Sequence, residues 1–153
     1  MTIKETYHKL QKKHKQLPDF SLLDREFEIS TIENTQFLLR EIRRKIVERI
    51  ETLVDLLEEF LQPEATVVNL QESKVFTEAE KKDMFVLFRK CMLAHRSALQ
   101  IGISGKEEEH AKFIAEITAD WDKVKKQMHR ILEKVKEAWR IDESVEEETG
   151  YFG

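Results

Sequence analysis

Glycine and proline are so rare in this chain that they limit the folds open to it. Only four glycines and two prolines occur among 153 residues, whereas average proteins contain about 7% glycine and about 5% proline. Dinucleotide-binding fingerprints and phosphate-binding loops need closely spaced glycines, and no serine here has the flanking glycines of a nucleophile elbow. Folds made of many short strands need more turn residues than this. The composition therefore predicts an all-α fold.

The cysteine count and the charge restrict the class of protein further. The single Cys91 can form no disulfide within the chain, which fits a reducing compartment. No apolar run approaches the roughly 18 residues of a membrane-spanning helix, and the first residues lack the apolar stretch of a secretion signal. The formal net charge of −4 is too small to require a highly charged partner. We expect a cytoplasmic protein with no membrane partner and no cofactor.

Apolar residues recur at helical spacing in four segments, which predicts an antiparallel bundle of three long helices plus a shorter N-terminal helix. The short helix covers 3–17 and ends before Pro18, and a short helix or packed connector follows over 19–29. The long helices cover about 31–61, 77–101 and 105–140. Capping boxes are predicted to open them at Ser30–Glu33, Thr77–Glu80 and Ser104–Glu107. Gly102 has the position of a C-terminal cap. Residues 1–141 would form one domain, followed by an acidic tail over 142–153 that is predicted to be disordered.

The last helix is predicted to extend beyond its neighbour. Its excess of about 11 residues, or about 16 Å, carries Ile131, Val135 and Trp139 past the end of the 77–101 helix. These side chains must contact the 31–61 helix, the 62–76 connection or another molecule, so we regard them as a possible partner interface. The connection is long for a loop, and its apolar residues, Val67, Val68, Leu70 and Phe76, indicate that it packs.

Two Glu-x-x-His runs are the only pattern that suggests a metal. Glu5–His8 and Glu107–His110 could each offer two ligands on one helix face, as in di-metal carboxylate bundles. Such bundles also need two further inward glutamates, and Glu107 is already explained as a capping residue. Cys91 and the histidines are interpreted as core or boundary residues. A di-metal protein is therefore only an outlying alternative.

A cluster of arginines occupies the first half of the 31–61 helix, at positions 40, 43, 44 and 49. Cations near a helix N-terminus oppose the helix dipole, so helix stabilisation does not explain them. Arg40, Arg43, Arg44 and Arg49 could form a face that binds phosphate or an acidic partner. Interspersed glutamates favour a solvated face with ion pairs instead.

No convergent catalytic set is visible in the sequence, and several helices have apolar residues on two sides. We therefore expect a non-enzymatic scaffold or adaptor that acts by protein–protein binding, as a homodimer or other homo-oligomer. The alternative from a different class is a nucleic-acid-associated accessory protein that uses the arginine cluster.

Overall fold

The computed structural model describes residues 1–140, and the predicted tail over 142–153 lies outside that range. Within it the chain forms six α-helices and no strand, which confirms the all-α prediction. The short helices are α1 (Ile3–Lys13), α2 (Phe20–Phe27) and α4 (Val67–Ser73). The long ones are α3 (Leu38–Leu61), α5 (Glu78–Ser104) and α6 (Glu107–Ala138). A 3-10 turn, Ile29–Thr31, precedes α3.

Helix α3 starts later than predicted, because the Ser30–Glu33 capping box does not open a helix. The Ser30 N–H donates instead to the Asp24 carboxylate at 2.8 Å, and burial of Ile29 and Ile32 holds this segment against the core. The chain then runs on to Phe37, which precedes α3 without any side-chain cap. The 24 residues of α3 make it about 36 Å long, whereas a helix over the predicted range 31–61 would be about 46 Å long.

The capping box at the start of α5 is confirmed. The Glu80 N–H donates to the Thr77 hydroxyl at 3.1 Å, and the Thr77 N–H donates to the Glu80 carboxylate at 2.9 Å. Each side chain thereby satisfies a backbone group that the first helical turn leaves free.

The prediction for the turn between α5 and α6 was wrong in detail. Gly102 and Ser104 both belong to α5, so neither caps a helix. The turn lies instead at Gly105, where a Cβ would be 2.3 Å from the Ile101 carbonyl oxygen. That close approach requires glycine. Helix α6 ends at Ala138, close to its predicted end.

The 62–76 connection contains α4 and packs less than predicted. Only Phe76 among its four large apolar residues is buried, in contact with Phe60 of α3. Val67, Val68 and Leu70 are exposed on α4. The short helix contacts α3 and is also held by hydrogen bonds to the end of α6.

Helix α3 is the centre of the bundle and contacts α1, α2, α4, α5 and α6. Helix α5 runs antiparallel to α6, since Glu80 near its start pairs with Lys134 at 2.8 Å and Lys90 further along pairs with Asp120. Helix α1 ends at Lys13 rather than at 17, and the buried Tyr7 hydroxyl ties it to the Pro18 carbonyl. One continuous apolar core joins all the long helices.

Candidate functional site

The arginine cluster does not form one surface. Arg43 is only 8% exposed: its Nη1 donates to the Ala98 carbonyl of α5 at 2.6 Å, while its Nε has no hydrogen-bond partner in the described part of the chain. Burial is the main cause that lowers the pKa of Arg43, followed by the neighbouring charges of Arg44 and Arg40. A buried cation of this kind cannot reach a phosphate backbone at the surface.

The other three arginines have different surroundings. Arg44 pairs with Glu41 at 3.0 Å and Arg49 with Glu28 at 3.7 Å. Arg40 lies over the Phe37 ring, 4.9 Å from its centroid. Within residues 1–140, Arg40 alone of the four combines exposure with the lack of a carboxylate at ion-pair distance. The ion pairs thus agree with the solvated-face interpretation for Arg44 and Arg49 only.

Gly102 leaves the space that the Arg43 side chain needs to reach α5. A methyl group at position 102 would lie 2.5 Å from Arg43 Nη1, closer than van der Waals contact permits. The missing side chain therefore makes room for the guanidinium group beside Ala98. This pair was missed at the sequence level, where Gly102 and Arg43 were interpreted separately.

The two Glu-x-x-His runs do not meet in one site. The Glu5 carboxylate accepts a hydrogen bond from the Thr2 N–H at the start of α1. Glu107 accepts from His14 Nε2 at 2.7 Å and from Lys13 Nζ at 2.9 Å, and these two contacts lower the pKa of the Glu107 carboxyl. No group of three or more metal-binding side chains comes together among residues 1–140.

His110 and Cys91 are both buried, with different consequences. Burial lowers the pKa of His110, and so do the charges of Arg43 and Arg40; its Nδ1 has no hydrogen-bond partner within the described residues. Burial raises the pKa of Cys91 to about 11. The thiol is therefore protonated at neutral pH and behaves as the core residue that its position in the apolar pattern predicted.

The end of α6 is covered in part by the 62–76 connection, one of the three contacts considered possible. Val135 is buried, and Ile131 lines a cavity together with Phe76. Trp139 stays 45% exposed while its indole N–H donates to Glu72 at 2.8 Å, and Gln71 donates to the Ala138 carbonyl at 3.0 Å. A partner interface formed by Ile131, Val135 and Trp139 remains a prediction. Of the three, Trp139 is the exposed residue.

Five of the twelve large apolar side chains that are exposed within residues 1–140 lie on the outer side of α5, a location that the sequence-based prediction did not identify. The pattern showed two apolar sides and suggested a central helix, but one of those sides faces solvent. Arg89 and Arg96 run along the middle of this side. We call it the outer face of α5, and its large exposed apolar residues are Phe85, Val86, Leu93, Leu99 and Ile103.

Comparison with known proteins identifies no relative: no protein-family model, curated protein or solved structure matches the chain significantly. None of the helices in the described range is both long and apolar enough to cross a bilayer.

Proposed function

We propose that this chain is a non-enzymatic helical scaffold that binds protein, in the first place a second copy of itself, through the outer face of α5. The observation that carries the proposal is the exposure of five large apolar side chains on one side of a single helix. Leu93, at its middle, is 71% exposed, and Ile103, at one end, is 86% exposed. Exposed apolar side chains that cluster on one surface, rather than occurring singly, are typical of protein–protein contact sites.

The spacing of these residues suits a helix partner. Phe85, Met92 and Leu99 recur every seven residues, as do Val86 and Leu93, and such a repeat keeps an apolar side turned toward a neighbouring helix. The side chains from Phe85 to Ile103 extend over about 27 Å. A helix pair of that length buries less than the roughly 800 Å² per partner of a standard interface. We therefore propose a reversible dimer.

The two arginines favour one arrangement of the pair. In a parallel pair, Arg89 and Arg96 would each lie opposite their own copies, and like charges would repel. An antiparallel pair with its two-fold axis beside Ala94 places Phe85 opposite Ile103 of the second copy and Arg89 opposite Leu99. Such an isologous contact uses the same residues on both sides and covers all five apolar side chains. It offsets the guanidinium groups of the two copies along the helix axis by at least about 4.5 Å, instead of placing them directly opposite one another.

A nucleic-acid-associated role is less well supported, because Arg43 is buried and Arg44 and Arg49 have carboxylate partners.

We also propose the cytoplasm as the location of the scaffold, and the buried, reduced Cys91 is compatible with it.

Sedimentation equilibrium with two matched variants tests the proposal. We expect the wild type to approach twice the chain mass of 18.2 kDa as its concentration rises. Leu93→Lys should remain monomeric, because dimerisation would bury a further cation beside Arg89 and Arg96. Val68→Lys on α4 makes the same charge change at another exposed apolar position and should still dimerise.

Two results would contradict the proposal. One is a wild type that stays at 18.2 kDa over the whole concentration range, and the other is equal dissociation of both variants. A gel-shift titration at about 50 mM salt, where phosphate contacts are strongest, separates the alternative role: DNA or RNA binding that is lost in Arg40→Gln would favour it.

A further inference from the structure

A partly enclosed cavity of about 340 Å³ lies at the end of the bundle where α3 and α6 both begin. Its walls come from α1, from the segment before α3 and from the first turns of α3 and α6. Leu10, Phe37 and Leu38 make one side apolar, while Arg40 and His110 contribute polar groups. The volume falls within the range of small-molecule pockets.

The start of α3 lies at this cavity and has no side-chain cap. The first backbone bond of the helix runs from the Glu41 N–H to the Phe37 carbonyl at 3.1 Å, and Phe37 has no side-chain oxygen with which to cap the preceding N–H groups. The amides of Leu38 and Leu39 therefore have neither a side-chain cap nor a carbonyl within α3 to bond. Gly105 and Glu107 bring the start of α6 to the same cavity, so two positive helix ends meet there.

His110 is a second, independent indication of a ligand. This side chain lines the cavity and is only 6% exposed. Its Nδ1 has no partner among residues 1–140 and is shielded from solvent, so Nε2 is the ring nitrogen that a ligand in the cavity can reach. A buried ring nitrogen normally has a hydrogen-bond partner, and a ligand would supply one to Nε2. The nearest charges on α3 are those of Arg40 and Arg43, and both are positive.

The one carboxylate that lines the cavity is already neutralised. Glu107 is held by Lys13 Nζ at 2.9 Å and by His14 Nε2 at 2.7 Å, so its negative charge is directed toward α1. Glu109, the other acidic group near His110, bonds the Lys106 N–H at 3.5 Å. An anion that enters the cavity would thus meet uncapped N–H groups and the free guanidinium of Arg40.

We propose that this cavity binds a small phosphate monoester, whose phosphate group accepts from the Leu38 and Leu39 amides, the Arg40 guanidinium and the His110 ring. Helix N-termini are suited to phosphate because their N–H groups and dipole both favour negative charge. The apolar wall then contacts the organic part of the ligand. Such a ligand also explains why Arg40 lies in the first turn of α3, where a cation would otherwise oppose the helix dipole.

Titration with inorganic phosphate and with phenyl phosphate, monitored by NMR of the backbone amides at constant ionic strength, tests the proposal. We expect saturable shifts of the Leu38 and Leu39 signals with both ligands, and tighter binding of phenyl phosphate. Arg40→Gln should weaken both at least about tenfold, since a charge-assisted hydrogen bond is lost. Arg40 is exposed, so its replacement leaves the core intact.

Arg49→Gln is the matched control: it removes the same charge from α3 at a residue that pairs with Glu28, and it should bind as the wild type does. Absence of saturable shifts, or equal weakening by both variants, would overturn the site. Phenyl phosphate that binds no more tightly than inorganic phosphate would overturn its assignment to a monoester. The test is independent of dimerisation, since the cavity shares no residue with the outer face of α5.

Discussion

Replacing Gly102 with alanine tests whether the buried Arg43 requires a glycine on the helix that faces it. Glycine within a helix is less favourable than alanine by roughly 0.5–1 kcal/mol, so the substitution would ordinarily stabilise α5. Here the new methyl group would lie 2.5 Å from Arg43 Nη1. The guanidinium must move, and its hydrogen bond to the Ala98 carbonyl at 2.6 Å would be lost.

The expected size of the effect follows from these two opposing contributions. Loss of a hydrogen bond from a charged group costs about 1.5–3 kcal/mol, which exceeds the gain in helix propensity. Gly102→Ala should therefore lower the free energy of unfolding by about 1–2 kcal/mol. For a chain of this length, each kcal/mol shifts Tm by about 2–4 °C.

A double-mutant cycle isolates the contact. In an Arg43→Met background the obstruction is gone, and Gly102→Ala should then stabilise the protein by about 0.5 kcal/mol. Urea unfolding followed by circular dichroism gives all four free energies. If Gly102→Ala changed the stability by the same amount in both backgrounds, the guanidinium would not lie against Gly102, and the account of Arg43 would be refuted.

Two further predictions concern His110 and the helix caps. The pKa of buried His110 lies below its usual value of about 6.5. As the pH falls below about 6.5, His110 therefore takes up a proton in the unfolded chain before it does so in the folded chain, and this favours unfolding. Wild-type stability should therefore decrease more steeply between pH 7 and about pH 5.5 than that of His110→Gln, and parallel pH profiles from urea unfolding would contradict this. Thr77→Ala should cost about 1 kcal/mol through loss of the α5 cap. Ser30→Ala should be nearly neutral in the same assay, because Ser30 is bound through its N–H rather than its hydroxyl.

The helical class and most helix positions could be predicted from the sequence because they depend on local patterns. The Thr77–Glu80 capping box is satisfied by residues three apart, so its local chemistry is sufficient. The same pattern at Ser30 failed because Asp24 binds the Ser30 N–H, and because Ile29 and Ile32 are drawn into the core. Tertiary contacts of that kind override local propensity.

The candidate surfaces were harder to predict, because each depends on which elements become neighbours. Apolar periodicity showed that α5 has two apolar sides, but it does not show whether a second helix covers each of them. Likewise, the cavity beside His110 joins α1, α3 and α6, and no single segment of sequence reveals that meeting. The arginine cluster was visible in the sequence, whereas the burial of Arg43 depends on Gly102 of another helix.

Pulsed electron paramagnetic resonance between spin labels measures the geometry of self-association through the outer face of α5. Single cysteines at Lys82 or Gln100, both exposed, would be labelled in a Cys91→Ser background. In an antiparallel pair centred on Ala94, with axes about 9 Å apart, the helix rise places the two copies of residue 82 about 37 Å apart and those of residue 100 about 20 Å apart. Distances close to these values are expected. Equal short distances at both positions would exclude the antiparallel pair, and no intermolecular distance at either would exclude self-association through this face.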